Sequence, residues 1–131
     1  MLDTNAVIAL VSRRSEALLR RVEALEPGSL VLSTIVVHEL YFGAYRSQKV
    51  EFNLETLRLL FADLGLLDLD REDARVAGEI RAELARQGTP IGPYDALIAG
   101  QAKARGLILV TRNTGEFARV AGLRIENWFL D

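Results

Sequence analysis

The sequence has no cysteine and one histidine. The first absence excludes disulfides, thiolate zinc sites and cysteine nucleophiles, and the second excludes a His-rich metal centre or a catalytic histidine pair. Proline is scarce, with three residues, so each one is informative as a boundary marker. Neither sign of charge dominates: 16 basic residues face 18 acidic ones, a formal net charge of −2. Non-specific attachment to nucleic acid through a global field is therefore excluded, and any such contact must use local arginines. No apolar run approaches the ~20 residues of a bilayer-spanning helix. The first residues show no basic stretch leading into an apolar one, so no membrane partner and a soluble, cytoplasmic protein are expected.

Half of the 131 residues are apolar, which excludes a disordered chain. The length falls near the usual size of one domain, ~100–150 residues. No repeat, low-complexity tract or linker interrupts it, so residues 1–131 are expected to form a single domain. Met1-Leu2 can only end a short strand, which stops at Asp3-Thr4-Asn5. Helical stretches follow over Asn5 to Val11 and Ser15 to Leu25, closed by a Glu26-Pro27-Gly28 turn. Leu30 to Leu32 reads as a buried strand, and Ser33 or Thr34 caps an apolar helix running to about Arg46.

Residues 49–63 read as an amphipathic helix offering Phe52, Leu57, Leu60 and Phe61 to the core. Leu66 to Leu69 suggests a strand. Asp70 caps a helix to about Gln87, stopped by Gly88-Thr89-Pro90. Pro93 suits the first turn of a helix from about Gly92 to Arg105, ended by Gly106. A strand over Leu107 to Val110, a short helix over Thr114 to Arg119 and a last strand over Leu123 to Glu126 complete the chain. Short apolar strands alternating with helices predict an α/β fold, a three-layer α/β/α sandwich around a short, mostly parallel sheet. Such sheets bind ligands outside the carboxyl ends of their strands. Here those ends carry Asp3, the segment leading to Glu39, and Arg112-Asn113.

Three carboxylates stand out by their surroundings. The neighbours of Glu39 at helical spacing are Ile35, Val36, Phe42 and Gly43; those of Asp95 are Ile91, Gly92, Ile98 and Ala99. Asp3 ends a strand that must be central. By contrast, Glu83 lies among Glu79, Ile80, Arg86 and Gln87, an ordinary solvated face. Bringing two carboxylates within ~5 Å costs about 3 kcal/mol at an effective dielectric of ~20. Basic side chains, protons or a hard cation could offset that cost. The nearest arginines in sequence are Arg46 and Arg112, and a divalent cation on oxygen ligands, Mg²⁺ or Mn²⁺, is the simplest resolution.

Each residue also has an ordinary structural explanation. Asp95 could favour the start of its helix, Asp3 could cap the helix after it, and Glu39 could sit in an ion pair. Asn113, between a strand and a short helix, has the look of a cap or turn. His38 fits a packed or peripheral side chain, and Trp128 and Tyr41 fit core or interface positions.

The motifs together resemble a known family. Met1-Leu2-Asp3-Thr4-Asn5, Ser33 to Leu40 with Glu39 at the acidic position, Ile91 to Ala99 around Asp95, and Val110 to Phe117 around Asn113 resemble the four motifs of PIN-domain nucleases. The closing Val120 to Trp128 is similar to the end of the VapC-like toxins of that family. The resemblance covers essentially the whole chain in order. It implies a metal-dependent endoribonuclease, the toxin of a toxin–antitoxin pair, hydrolysing RNA with a Mg²⁺-activated water to leave 5′-phosphate and 3′-hydroxyl ends. On this resemblance Asp3, Glu39 and Asp95 are the metal ligands and, with Asn113, the catalytic set.

The departure is at Asn113, where many members carry aspartate. A neutral amide brings no charge, which puts a second tightly held metal in doubt, and Glu116 is a possible substitute. Arg112 is the expected substrate contact, with Arg13, Arg14 and Arg46 as further candidates to meet phosphates. The resemblance also implies a homodimer and a cognate antitoxin, with Phe42, Tyr45 and Leu59 as plausible contact points. Two other classes stay open: a PIN-like RNA- or protein-binding domain with weak or lost turnover, and an aspartate-based phosphoryl-transfer domain. The second lacks a lysine after Leu107 to Val110 and has Asn5 where a second aspartate is needed.

Overall fold

The structure, a computed structural model, describes residues 1–130; Asp131, the last residue of the expected domain, lies outside them. Eleven elements follow one another: α1 (Thr4–Val11), α2 (Glu16–Glu23), β1 (Val31–Ser33), α3 (Thr34–Arg46), α4 (Val50–Asp63), β2 (Gly65–Leu67), α5 (Arg71–Arg86), α6 (Pro93–Ala104), β3 (Leu109–Val110), α7 (Thr114–Phe117) and β4 (Ile125–Glu126). The helices keep the expected bounds to within one or two residues. The strands are shorter than expected. The third expected strand, over Leu66 to Leu69, pairs only over Gly65–Leu67, and the last two pair over two residues each.

All strand pairing is parallel. β1 pairs with β2 and β3 with β4, and Leu2 joins the two pairs. Leu2 forms a parallel bridge to Val110, while its amide donates to the carbonyl of Val31 at 3.3 Å. The spatial order is therefore β2, β1, Leu2, β3, β4. Leu2 is central in this order, with β1 and β2 on one side and β3 and β4 on the other. Leu109 and Val110 are adjacent, point to opposite faces and are both buried, as are Leu2 and Leu32; the sheet is covered on both faces, which accounts for its continuous apolar strands.

Local chemistry sets the helix ends. Asp3, Ser15, Ser33 and Asp70 each accept a hydrogen bond from an N–H of the helix that follows. Asp70 and Asp73 form a reciprocal capping box, and Asp73 then takes two bonds from Arg105, directly after α6, at 3.2 and 2.8 Å. Burial pushes the Asp73 carboxyl up, but the Arg105 guanidinium and the Asp70 N–H outweigh it and hold it below the usual carboxylate range. α1 ends in a Schellman turn, with the Arg14 N–H bonded to Ala9 O and the Arg13 N–H to Leu10 O. Its left-handed position holds Arg13, at φ 55°, where glycine is usual.

One expected core residue lies outside. Phe52 is 69% exposed, because the face of α4 that packs inwards carries Leu57, with Leu60 and Phe61 partly buried. Trp128 is buried and its indole donates to Glu126, whereas Tyr41 is 39% exposed. The closest helix pair is α5 and α6, which cross at Ala77 and Gly100. A Cβ on Gly100 would lie 2.6 Å from both Ala77 Cβ and Ala77 N. Replacing Gly100 by alanine therefore has to push two backbones apart. Gly100→Ala is expected to lower stability by ~2 kcal/mol in urea denaturation, whereas Gly78→Ala on the exposed side of α5, with open space around it, is expected not to.

Candidate active site

The sheet order gives a crevice at the carboxyl end of the central strand, between neighbours that leave in opposite directions. Asp3 is the first residue beyond Leu2 and only 5% exposed. Its two oxygens do different work. Oδ1 accepts the Ala6 N–H at 2.9 Å and so caps α1, while Oδ2 accepts the Thr111 hydroxyl at 2.6 Å. The capping role is thus real, and it uses one oxygen. Burial raises the Asp3 pKa; the bonds from Thr111 and Ala6 oppose this, and the nearby Glu39 charge adds to it.

Glu39 lies on α3, which Ser33 starts directly after β1. It is half-buried, and its Oε1 accepts the Thr4 hydroxyl at 2.7 Å. Asp95 enters from α6, third in a helix whose first residue is Pro93. A first-turn carboxyl is normally favoured in its charged form by the helix dipole. Here the opposite holds: burial first, then the charges of Glu116, Glu39 and Asp3, raise the Asp95 pKa to about 6. The structure brings the three sequence-predicted acids into mutual electrostatic range.

The fourth position differs from expectation in detail. Asn113 makes no side-chain cap to α7. Its Nδ2 instead donates to Glu116 Oε2 at 2.9 Å, and its backbone N–H donates to the Thr111 hydroxyl at 2.9 Å. Asn113 thus orients Glu116, which heads the charges acting on Asp95. Thr111 escaped the sequence reading although it is fully buried and joins Asp3 to the Asn113 loop. The available signal was a hydroxyl residue directly after an apolar strand.

Among the described residues, no ion pair involves Asp3, Glu39 or Asp95. No three carboxylate or imidazole side chains among them are gathered tightly enough to hold an ion unaided. A hard cation such as Mg²⁺ takes one or two carboxylates and completes its shell with water or phosphate oxygens. The donors are all oxygen and carry negative charge with no basic side chain paired to them, so a hard divalent cation fits them chemically.

The arginines divide. Arg112 is exposed, with its guanidinium 5.3 Å from the centroid of the Phe129 ring, and it shares a groove with Arg14, Asn5 and Asn113. Arg46 instead lies over Phe42, 5.2 Å from its centroid. His38 is exposed and packs edge-on against Tyr94, as a peripheral side chain does. No helix among the described residues is long and apolar enough to cross a membrane.

Comparison with known proteins gives one consistent family. The PIN domain profile matches residues 1–123. The chain is 45% identical over 128 residues to the tRNA(fMet)-specific endonuclease VapC of Shigella flexneri, covering 98% of this chain and 96% of that protein. It is 43% identical, with the same coverage, to Ribonuclease VapC2 of Haemophilus influenzae. Among solved structures, DNA-bound VapBC from Salmonella typhimurium superposes with a TM-score of 0.91 at 44% identity, covering 98% of this chain and 96% of that one. VapBC2 from Rickettsia felis, bound to a fragment of its promoter DNA, gives a TM-score of 0.91 at 34% identity, with 98% and 97% covered.

The raised Asp95 pKa has a consequence for stability. A carboxyl whose pKa is higher folded than unfolded favours the fold below its unfolded value of 3.8, and that contribution is lost as pH rises through about 6. In the presence of EDTA, Asp95→Asn is therefore expected to raise the melting temperature at pH 8, by a stabilisation of about 1 kcal/mol once solvent screening of this half-buried group is allowed for. The gain should vanish by pH 4. Thermal denaturation across that range checks it.

Proposed function

Because the chain belongs to the PIN-domain family, we propose that it is a metal-dependent endoribonuclease, the toxin of a toxin–antitoxin pair, with Asp3, Glu39 and Asp95 as its metal ligands. The observation that carries this reading is the set of carboxylates at the switch point, close enough that neighbouring charges add to the burial that raises the pKa of Asp3 and Asp95, and without an ion-pair partner among the described residues. Its relatives in Shigella and Haemophilus are named as an endonuclease and a ribonuclease.

The chain's own groups have distinct tasks. Thr111 and the Ala6 N–H fix the Asp3 carboxylate from two sides, and Thr4 fixes one oxygen of Glu39, so both present their remaining lone pairs with little freedom. Asp95 supplies the third carboxylate, and at neutral pH its ionisation is favoured by any cation that offsets the charges of Glu116 and Glu39. Mg²⁺ or Mn²⁺, when bound, supplies a Lewis acid toward a phosphoryl oxygen and lowers the pKa of water. Asn113 is uncharged and holds Glu116 in place of the aspartate common at this position. Arg112 meets a phosphate of the substrate beside the acids.

The partners follow the same reading: RNA as substrate, a cognate antitoxin, and a second copy in a homodimer, in the cytoplasm. Three of the solved relatives are VapBC assemblies. Phe42 at 56%, Tyr45 at 64% and Leu59 at 55% exposure leave apolar area on α3 and α4 for such contacts. Since two relatives carry tRNA(fMet) in their names, that RNA is the first substrate to assay.

Purified protein is expected to cleave RNA in Mg²⁺ and to stop in EDTA. Asp3→Asn, Glu39→Gln and Asp95→Asn should each lower the rate by more than about a hundredfold with circular dichroism unchanged. Cleavage by Asp95→Asn at the parent rate would overturn the site assignment.

A further inference from the structure

Next to the acids lies a groove of about 500 Å³ whose walls include Asn5, Arg14, Ser15, Arg112, Asn113 and Phe129. It is contiguous with the site, since Asn5 follows Asp3 by two residues and Asn113 is bonded to Thr111 and Glu116. Its charge is opposite to that of the acids. Several arginines of this chain are tied up in ion pairs: Arg21 with Glu126, Arg58 with Glu55, Arg75 with Glu72, Arg86 with Glu83, and Arg105 with Asp70 and Asp73. Neither Arg14 nor Arg112 has a carboxylate partner among the described residues.

Two separate features hold these cations where they are. The Schellman turn after α1 places Arg13 in the left-handed region and brings the chain round so that Arg14 meets the groove. Arg112 is restrained on the other wall by the Phe129 ring beneath its guanidinium. A polyanion approaching the acids would be repelled unless cations beside them receive its phosphates, and a chain of net charge −2 offers no wider field to do so. The volume is that of a small-ligand pocket.

We infer that this groove is the substrate-backbone subsite of the proposed nuclease, in which Arg14 and Arg112 together hold the phosphates of single-stranded RNA flanking the cleaved bond and Phe129 positions Arg112. The inference rests on the nuclease reading and adds to it a second cation, Arg14, and a positioning residue. RNA rather than an acidic peptide is favoured because the groove opens onto the proposed metal ligands, where a phosphodiester held by the arginines meets the hydrolytic centre of the proposed nuclease.

The test uses the full chain and a 5′-fluorescein-labelled RNA hairpin with an unpaired loop. Arg14→Ala is expected to raise KM for cleavage roughly tenfold, with kcat within about twofold of the parent. In the non-cleaving Asp95→Asn background the same change should weaken binding similarly and reduce the slope of log affinity against log salt by ~0.7, one phosphate contact on a single strand. Phe129→Leu should raise KM, and Phe129→Tyr, which keeps the ring, should restore it. If the parent protein cleaves the hairpin while Arg14→Ala leaves KM and the salt slope unchanged, the subsite is overturned and the nuclease reading stands. If the parent neither cleaves nor binds RNA, the nuclease reading itself falls, and the subsite with it.

Discussion

The structure is organised around carboxylates that repel one another and are kept together by the backbone. Asp3, Glu39, Asp95 and Glu116 come from four separate segments, and burial first, with their mutual repulsion added to it, raises the Asp95 pKa to about 6. The fold tolerates this because each of three acids is bonded to a neutral donor: Thr111 and the Ala6 N–H for Asp3, Thr4 for Glu39, and Asn113 for Glu116. Neutral donors fix a carboxylate without cancelling its charge. Asp73 shows the other solution available to the same chain. There Arg105 bonds a buried carboxylate at 2.8 Å and holds its pKa below the usual range. Among the described residues the acids at the crevice have no such partner although arginine is abundant, so their charge is available to something that binds.

Topology decides where that charge collects. Because Leu2 is paired in parallel on both sides, the carboxyl ends of Leu2, β1 and β3 converge on one crevice. Asp3 serves the fold and the site with one carboxylate, capping α1 through Oδ1 and meeting Thr111 through Oδ2. The frame behind the crevice is stiffened by a helix pair in contact at Gly100 and Ala77. Gln101, fully buried, adds a tether by donating to the carbonyls of Leu67 and Asp68 after β2. These ties hold α6, and with it Asp95, against the rest of the sheet.

The charge pattern along the rim is graded. A negative crevice adjoins a groove whose arginines have no acidic partner among the described residues, and Asn113 stands at the boundary, bonded to Glu116 on the acidic side and lining the groove with Arg112 on the other. A protein of small net charge can thereby present both signs within one substrate's reach. Asparagine at position 113 suits this setting, since a neutral amide can hold Glu116 while adding no further charge beside Arg112.

By itself the sequence determined the alternation of helices and short strands, the helix ends at Asp70, Ser33, Gly88 and Gly106, and the three acids on apolar faces. These are local quantities, set by capping chemistry, by glycine's freedom in the left-handed region and by which neighbours share a helix face. Tertiary structure alone decided the strand ends, because a β ladder needs a partner and residues 107, 108, 123 and 124, apolar or not, fall outside the paired strands. It also decided that Phe52 faces outward, that Thr111 bonds Asp3 across 108 positions of sequence, that Glu116 joins the acids and that Arg14 rather than Arg46 faces the groove. Each of these depends on which distant segments are packed together, and no periodicity in one segment records the identity of its neighbour in space.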